Sequence, residues 1–177
     1  MCIIEPDVFE DQRGHFLETY HREKYSRMGI KSDFVQENES LSRRGVLRGL
    51  HYQLQHPQSK LCRVIEGIVW DVIVDIRIGS PTFARWIGVE LDSLSAHEIF
   101  IPKGFAHGFM VRSELARFVY KCDDFYFPGD EYGILWSDPG LAIEWGNRQP
   151  ILNRRDAAFP PLSEVEETQL PRYSDAL

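Results

Sequence analysis

The stretch Glu66-Gly67-Ile68-Val69-Trp70-Asp71-Val72-Ile73-Val74-Asp75-Ile76 decides the fold class. From Ile68 to Ile76 the residues are β-branched or aromatic, interrupted only by Asp71 and Asp75, which is the composition of a strand. The alternation is imperfect, as expected of a strand with one wetter face. Glu66-Gly67 reads as a hairpin turn leading into it. Working outward, the same pattern recurs in Leu61 to Ile65, Trp86 to Leu91, Glu98 to Ile101, Gly108 to Val111 and Arg117 to Lys121. Gly, Pro, Asn or Asp punctuates the chain about every ten residues, so the reading is all-β, a sandwich or barrel of short strands. Helix signal is sparse. His21 to Met28 reads as a short helix ending near Gly29. Ser163 to Thr168 reads as another, with Ser163 as N-cap and Glu166 completing a capping box. The polar tail after Gln169 reads as loosely ordered. Without repeats, linkers or low-complexity segments, residues 1–177 read as one domain.

The bulk composition narrows the function classes. The chain has 177 residues, 43% hydrophobic and 27% charged, which is ordinary for a globular protein with a sizeable core. Its net charge of −7 offers no basic footprint for nucleic acid, so an anionic ligand would need a local Arg/Lys cluster. Cys2, Cys62 and Cys122 fit neither a disulfide framework nor a zinc pattern, which favours a reducing compartment. The acidic N-terminal stretch does not read as a signal peptide. No run approaches the roughly 18 to 20 apolar residues of a membrane span. The expectation is a cytoplasmic protein that binds neither membrane nor nucleic acid.

Chemistry-bearing residues gather in three places. They are Phe34 to Asn38 with Gly45 to Gln53, Ile101 to Phe109, and Val119 through Pro139. Pro102-Lys103-Gly104-Phe105-Ala106-His107 matches the second half of the cupin signature, a weak signal by itself. The first half lacks its ligands, since Gln53 stands two residues after His51 and Pro57-Gln58 stands where a carboxylate would be. Two histidines without a carboxylate at ligand spacing make a poor metal site, and no metal or other cofactor is expected. Acid–base work fits better: a histidine base (His51), a tyrosine acid (Tyr120), and a lysine for charge developing on an oxygen (Lys60). Spacing alone does not show that they converge. Taken singly, His51 and Tyr120 would read as hydrogen-bonded core residues, and Lys60 and Arg13 as solvated charges.

Gly45-Val46-Leu47-Arg48-Gly49-Leu50-His51-Tyr52-Gln53, followed by Gln58-Ser59-Lys60-Leu61, resembles the dTDP-4-dehydrorhamnose 3,5-epimerase family. So do Asp71 to Arg77, Ser80-Pro81-Thr82-Phe83, Ile101 to Phe109, Tyr120-Lys121-Cys122 and Trp136-Ser137-Asp138-Pro139. The resemblance runs in order from about Glu5 to Pro161. It implies a cupin-type jelly-roll β-barrel and a cofactor-free epimerase of the dTDP-rhamnose route to surface polysaccharide. The implied substrate is a nucleotide-linked 4-keto-6-deoxyhexose, whose C3 and C5 protons are acidified by the C4 ketone. It also implies residue roles. His51 resembles the base, Asp156 its paired carboxylate, Tyr120 the proton donor, and Lys60 the lysine near the ketone. His107 resembles a second histidine of the sugar pocket. Arg13, Arg48 and Arg155 resemble diphosphate contacts, Tyr126 an aromatic that stacks on the base of the nucleotide, and Glu18, Gln36, Asn38 and Glu131 further substrate contacts. The family is dimeric with exchanged N-terminal strands, so Arg13 and Glu18 are expected to serve a partner's site. His15, His21, His56 and His97 read as surface or structural.

The chain departs from the family pattern at Asp123 for a threonine, Phe125 for a tyrosine, Trp145-Gly146 for Trp-Pro, and Arg155 for a lysine. These positions bear on substrate identity more than on reaction class. The readings weighed beside a 3,5-epimerase are an enzyme inverting only C3 or only C5, one using a GDP- or CDP-linked sugar, a non-catalytic sugar-binding cupin, and a metal-dependent cupin.

Overall fold

The structure, a computed structural model, describes residues 1–173. Twelve strands carry it: β1 (Cys2–Ile4), β2 (Val8–Asp11), β3 (Gly14–Leu17), β4 (Gln36–Arg43), β5 (Leu47–Gln53), β6 (Lys60–Glu66), β7 (Ile68–Asp75), β8 (Trp86–Asp92), β9 (Glu98–Ile101), β10 (Phe105–Val111), β11 (Leu115–Cys122) and β12 (Glu131–Gly133). The one α-helix among the described residues, α1 (Arg22–Arg27), starts after His21 and stops at Gly29, whose φ of +92° lies in the left-handed region that glycine adopts without a Cβ penalty.

Pairing is nested. β4 pairs with β11, β5 with β10, β6 with β9 and β7 with β8, all antiparallel. Successive arms of this long hairpin alternate between two sheets, ordered β1-β9-β6-β11-β4 and β12-β5-β10-β7-β8. That wrapping is the jelly roll that the resemblance implies. The β2–β3 hairpin stands apart as its own two-stranded sheet.

The burial pattern explains why β7 reads as a near-continuous apolar run. Val69 and Ile73 face the space between the sheets, where they meet Val64, Ile99, Phe109 and Phe118. Val72, Val74 and Ile76 face the other way, into a second core with Leu47, Leu50, Met110 and Ile134, closed by Leu141, Trp145, Leu162 and Leu170 of the C-terminal segment. The expected wetter face does not exist. Asp71 and Asp75 are 0% and 2% exposed. They interrupt the run because each has polar partners: buried His107 for Asp71, and Arg77, buried Ser80 and Thr82 for Asp75.

Three other expectations need correction. Glu66-Gly67 is no hairpin, because β6 and β7 belong to different sheets and the turn carries the chain from one to the other. Gly67 (φ +83°) fits there since a Cβ would stand 2.1 Å from the Leu115 carbonyl oxygen. Ser163 to Thr168 is not a helix with a capping box. It forms two separate 3-10 turns, Leu162–Glu164 and Glu167–Gln169, broken at extended Val165 and Glu166. A segment this short lacks the roughly 12–15 residues an isolated helix needs, and its shape follows the docking of Leu162, Val165 and Leu170 on the core. For the same reason the tail is held as far as Tyr173: Leu170 is buried, and the Tyr173 N–H donates to the Ile78 carbonyl. The remainder of the tail, 174–177, lies outside the described residues.

Candidate functional site

The site begins with an irregularity in β5. Leu47 faces the outer core and Arg48 the space between the sheets, as alternation requires. Strict alternation would then turn His51 outward, yet Leu50 and Tyr52 are the residues that join the outer core. The register against β10 slips between His107, which pairs with His51, and Phe109, which pairs with Arg48. The β-bulge puts Arg48 and His51, three residues apart, on the same face. It depends on Gly49 (φ +122°), where a Cβ would lie 2.5 Å from the Gly108 Cα.

His51 opens onto a cavity of about 210 Å³ between the two sheets, lined also by Gln36, Asn38, Lys60, Tyr120, Tyr126 and Glu131. Its Nε2 is 2.9 Å from Oδ1 of Asp156, a fully buried residue at the start of a 3-10 turn (Asp156–Ala158). The other carboxylate oxygen accepts from the Gly49 N–H at 3.1 Å, and the Asp156 N–H donates to Asn153 Oδ1. Burial works to raise the Asp156 pKa. The hydrogen bond and charge of His51, the Gly49 N–H and the Arg155 charge outweigh it and hold the pKa below the ordinary value. An ionised carboxylate only accepts, so Nε2 carries a proton, and in the neutral imidazole Nδ1 is the nitrogen with the lone pair. Nδ1 lies 3.7 Å from Glu131. The Phe159 ring meets the imidazole edge to face at 5.8 Å.

Tyr120 and Lys60 come from the opposite sheet, on β11 and β6. The Lys60 ammonium stands 5.8 Å from the centre of the Tyr120 ring. Burial drives the Tyr120 pKa well above its usual value, so the phenol stays protonated and can donate. Gln36 and Asn38 bond each other on β4, and the Tyr126 N–H donates to Gln36 Oε1. The Tyr126 hydroxyl reaches Glu131 at 3.2 Å.

Five predicted residues fall elsewhere or are otherwise engaged, among them Arg48, which is exposed, does not line this cavity and donates from Nε to Ser42 Oγ at 3.1 Å. Arg13 and Glu18 are not in this cavity: Arg13 pairs with Asp11 on the exposed β2–β3 hairpin, and Glu18 with Lys24. Arg155 is bound to Glu131 and lies 3.5 Å from Asp156, so its charge is spent within the protein. His107 lies behind the main cavity, 7% exposed, with Nε2 2.8 Å from Asp71 Oδ2. It lines a small void with Gln53, Gln58 and Lys60. Sequence reading missed Asp71, Asn153 and Phe159. A carboxylate inside the apolar run of β7 was the available signal for Asp71; nothing marked the other two.

Three larger clefts, of about 610, 790 and 270 Å³, lie near Trp136–Arg148, near Met28–Asp33 and on the β2–β3 hairpin; the first two contain no histidine, and the third has His15 with no Tyr or Lys beside it. Volume therefore does not locate the chemistry.

A model of the dTDP-4-dehydrorhamnose 3,5-epimerase family matches residues 1–164. The chain belongs to this family. A dTDP-4-dehydrorhamnose 3,5-epimerase of Shigella flexneri is 50% identical over 158 residues, 88% of this chain and 87% of the relative. The crystal structure of a dTDP-6-deoxy-D-glucose-3,5-epimerase from Legionella pneumophila Philadelphia 1, in complex with dTDP-4-keto-L-rhamnose, superposes with a TM-score of 0.95 at 49% identity. It covers 97% of this chain and 93% of that one. A dTDP-4-dehydrorhamnose 3-epimerase of Streptomyces niveus is 37% identical, with 97% of this chain and 84% of the relative covered.

Against the family pattern, the departures sit mostly outside the cavity. Asp123 accepts from the Ser59 N–H and approaches Lys103. Gly146 has a φ of +79°, which a proline ring cannot adopt, so the backbone here takes a course closed to a Trp-Pro pair.

Proposed function

We propose that this protein inverts C3 and C5 of dTDP-4-keto-6-deoxy-D-glucose by proton transfer through an enolate. The observation that carries this reading is the His51–Asp156 pair opening on one cavity with Lys60 and Tyr120. Nδ1 of His51 takes the proton from the carbon beside the ketone. The electron pair of that C–H bond moves into the enolate, and negative charge grows on the C4 oxygen, where the Lys60 ammonium stabilises it. The Tyr120 hydroxyl returns a proton to the opposite face of the same carbon. Asp156 holds the tautomer and balances the imidazolium that forms. Once His51 has lost its proton to solvent and the Tyr120 phenolate has taken one back, the same sequence at the second acidified carbon completes the double inversion. The relatives named for this reaction, aligned over nearly the whole chain, support the choice of substrate.

In the same reading Arg48 grips the diphosphate, Gln36, Asn38, Tyr126 and Glu131 contact nucleotide or sugar, and His107 supports the sugar pocket. Two copies associate and exchange the β2–β3 hairpin, which brings Arg13 and Glu18 to the partner's cavity. Phe9 and Phe16, opposite each other on that hairpin, are 62% and 68% exposed, an apolar pair that association would cover. We place the protein in the cytoplasm as one domain. Its three cysteines are free, and no helix among the described residues is long and apolar enough to cross a membrane.

The test couples turnover to a reductase specific for dTDP-4-keto-L-rhamnose. Formation of the rhamnose nucleotide by the unmodified protein, lost in His51→Asn with the fold intact, is the expected result. A product inverted at one carbon, or normal turnover by His51→Asn, contradicts the reading.

A further inference from the structure

We infer that Ser42 is a positioning residue for diphosphate recognition, its hydroxyl anchoring the Arg48 guanidinium through Nε and leaving the terminal nitrogens for the ligand. The inference rests on the proposed role of Arg48. Ser42 lies on β4 and is 5% exposed. Arg48, on β5 of the other sheet, donates from Nε to Ser42 Oγ at 3.1 Å. This bond links the two sheets across the turn at Gly45, and it is the one side-chain hydrogen bond of Ser42 among the described residues. A guanidinium has five N–H donors, so four remain on the terminal nitrogens, in the fork that suits a phosphate.

Several cations that could bind an anionic ligand are already paired. Arg155 is paired with Glu131, Lys121 with Glu37, Lys103 with Asp123 and Arg13 with Asp11. Arg48, on the same strand as His51, is one of several cations without a carboxylate partner among the described residues, and Lys60, another, belongs to the ketone in the proposed reaction. The alternation of β4 puts Gln36, Asn38, Ser40 and Ser42 on one face, and the first two line the cavity. An inward row of polar side chains is costly unless polar groups meet it, and Ser40 Oγ is buried with no partner. A serine at position 42 holds Nε without neutralising the cation. An aspartate there would claim the fork itself.

The test measures binding of dTDP and of thymidine by calorimetry, with steady-state kinetics alongside. In Ser42→Ala, dTDP affinity falls about tenfold and KM rises in step, while kcat and thymidine affinity stay within about twofold. Ser42→Thr, which keeps the hydroxyl, restores dTDP binding. Adding Ser42→Ala to Arg48→Met causes no further loss, since the serine acts through the arginine. Should Ser42→Ala unfold, Ser42→Cys keeps the size, loses most of the hydrogen bond and carries the same comparison. Equal losses for dTDP and thymidine, unchanged dTDP binding, or additive losses in the double variant overturn the role of Ser42 alone. Failure of the unmodified protein to bind dTDP overturns the nucleotide reading beneath it.

Discussion

Replacing Asp156 with asparagine tests the dyad with almost no change in shape. The side chain is fully buried and both carboxylate oxygens accept hydrogen bonds, one from His51 and one from Gly49. An amide has only one acceptor oxygen. If that oxygen stays on the Gly49 N–H, the NH2 group faces His51 Nε2 and forces the proton onto Nδ1, the nitrogen that should act as base. If the amide flips, two donors confront each other at Gly49 at a cost of about 1–3 kcal/mol. In either case the imidazolium loses its counter-charge, worth up to about 4 kcal/mol at 4 Å and an effective dielectric of 20. These effects are not additive, and a kcat loss of about 10²- to 10⁴-fold follows. Asp156 lies behind His51, so dTDP affinity should change less than about threefold, a shift below about 1 kcal/mol. The assay is reductase-coupled turnover beside calorimetric dTDP binding. A kcat loss under tenfold in a folded Asp156→Asn protein would refute the argument.

Further expectations concern the acid, the electrophile and the buried carboxyl outside the site. Tyr120→Phe should weaken proton return more than proton removal, so solvent deuterium exchange outlasts product formation; equal losses would deny Tyr120 its role. Lys60→Met should lower kcat about 10²- to 10³-fold with little effect on dTDP binding, as expected for a group acting on developing charge; a loss confined to KM would count against it. Glu98 is 1% exposed and its pKa is raised to about 7 by burial, against the opposing effects of the Tyr25 hydrogen bond and the Arg63 and Lys121 charges. Because the folded protein holds this proton more tightly than the unfolded chain, stability should fall as pH rises from about 4.5 to 7. Glu98→Gln should flatten that slope and stabilise the protein at pH 8 by up to about 3 kcal/mol. An unchanged pH dependence of urea unfolding would show that Glu98 does not titrate in this range.

Strands β6 to β11 were legible because β-branched and aromatic runs between turn residues leave few alternatives, whereas β4 and β5 have no such run. Which strand joined which sheet was not: Glu66-Gly67 has the composition of a hairpin, and only nested pairing sends β6 and β7 apart. Asp71 and Asp75 misled for a related reason. A buried aspartate is indistinguishable, locally, from one facing water, whether its partner is far along the chain, as His107 is for Asp71, or in the following turn, as Ser80 is for Asp75. The bulge at Gly49, which brings Arg48 and His51 to one face, is likewise invisible without β10 beside it. His51, Tyr120 and Lys60 could be nominated from their chemistry alone. Asp156, 105 residues after His51, came only from the family resemblance. The resemblance also gave Arg13, which lies on a hairpin away from this chain's own cavity, and Arg155, which is tied to Glu131.

The most direct test follows the C3 and C5 protons of dTDP-4-keto-6-deoxy-D-glucose by NMR in heavy water, with enzyme-free and His51→Asn controls and a reductase to trap product. The account predicts enzyme-dependent deuterium incorporation at both carbons and trapping as the rhamnose nucleotide. Incorporation at a single carbon, or none above the controls, would contradict it.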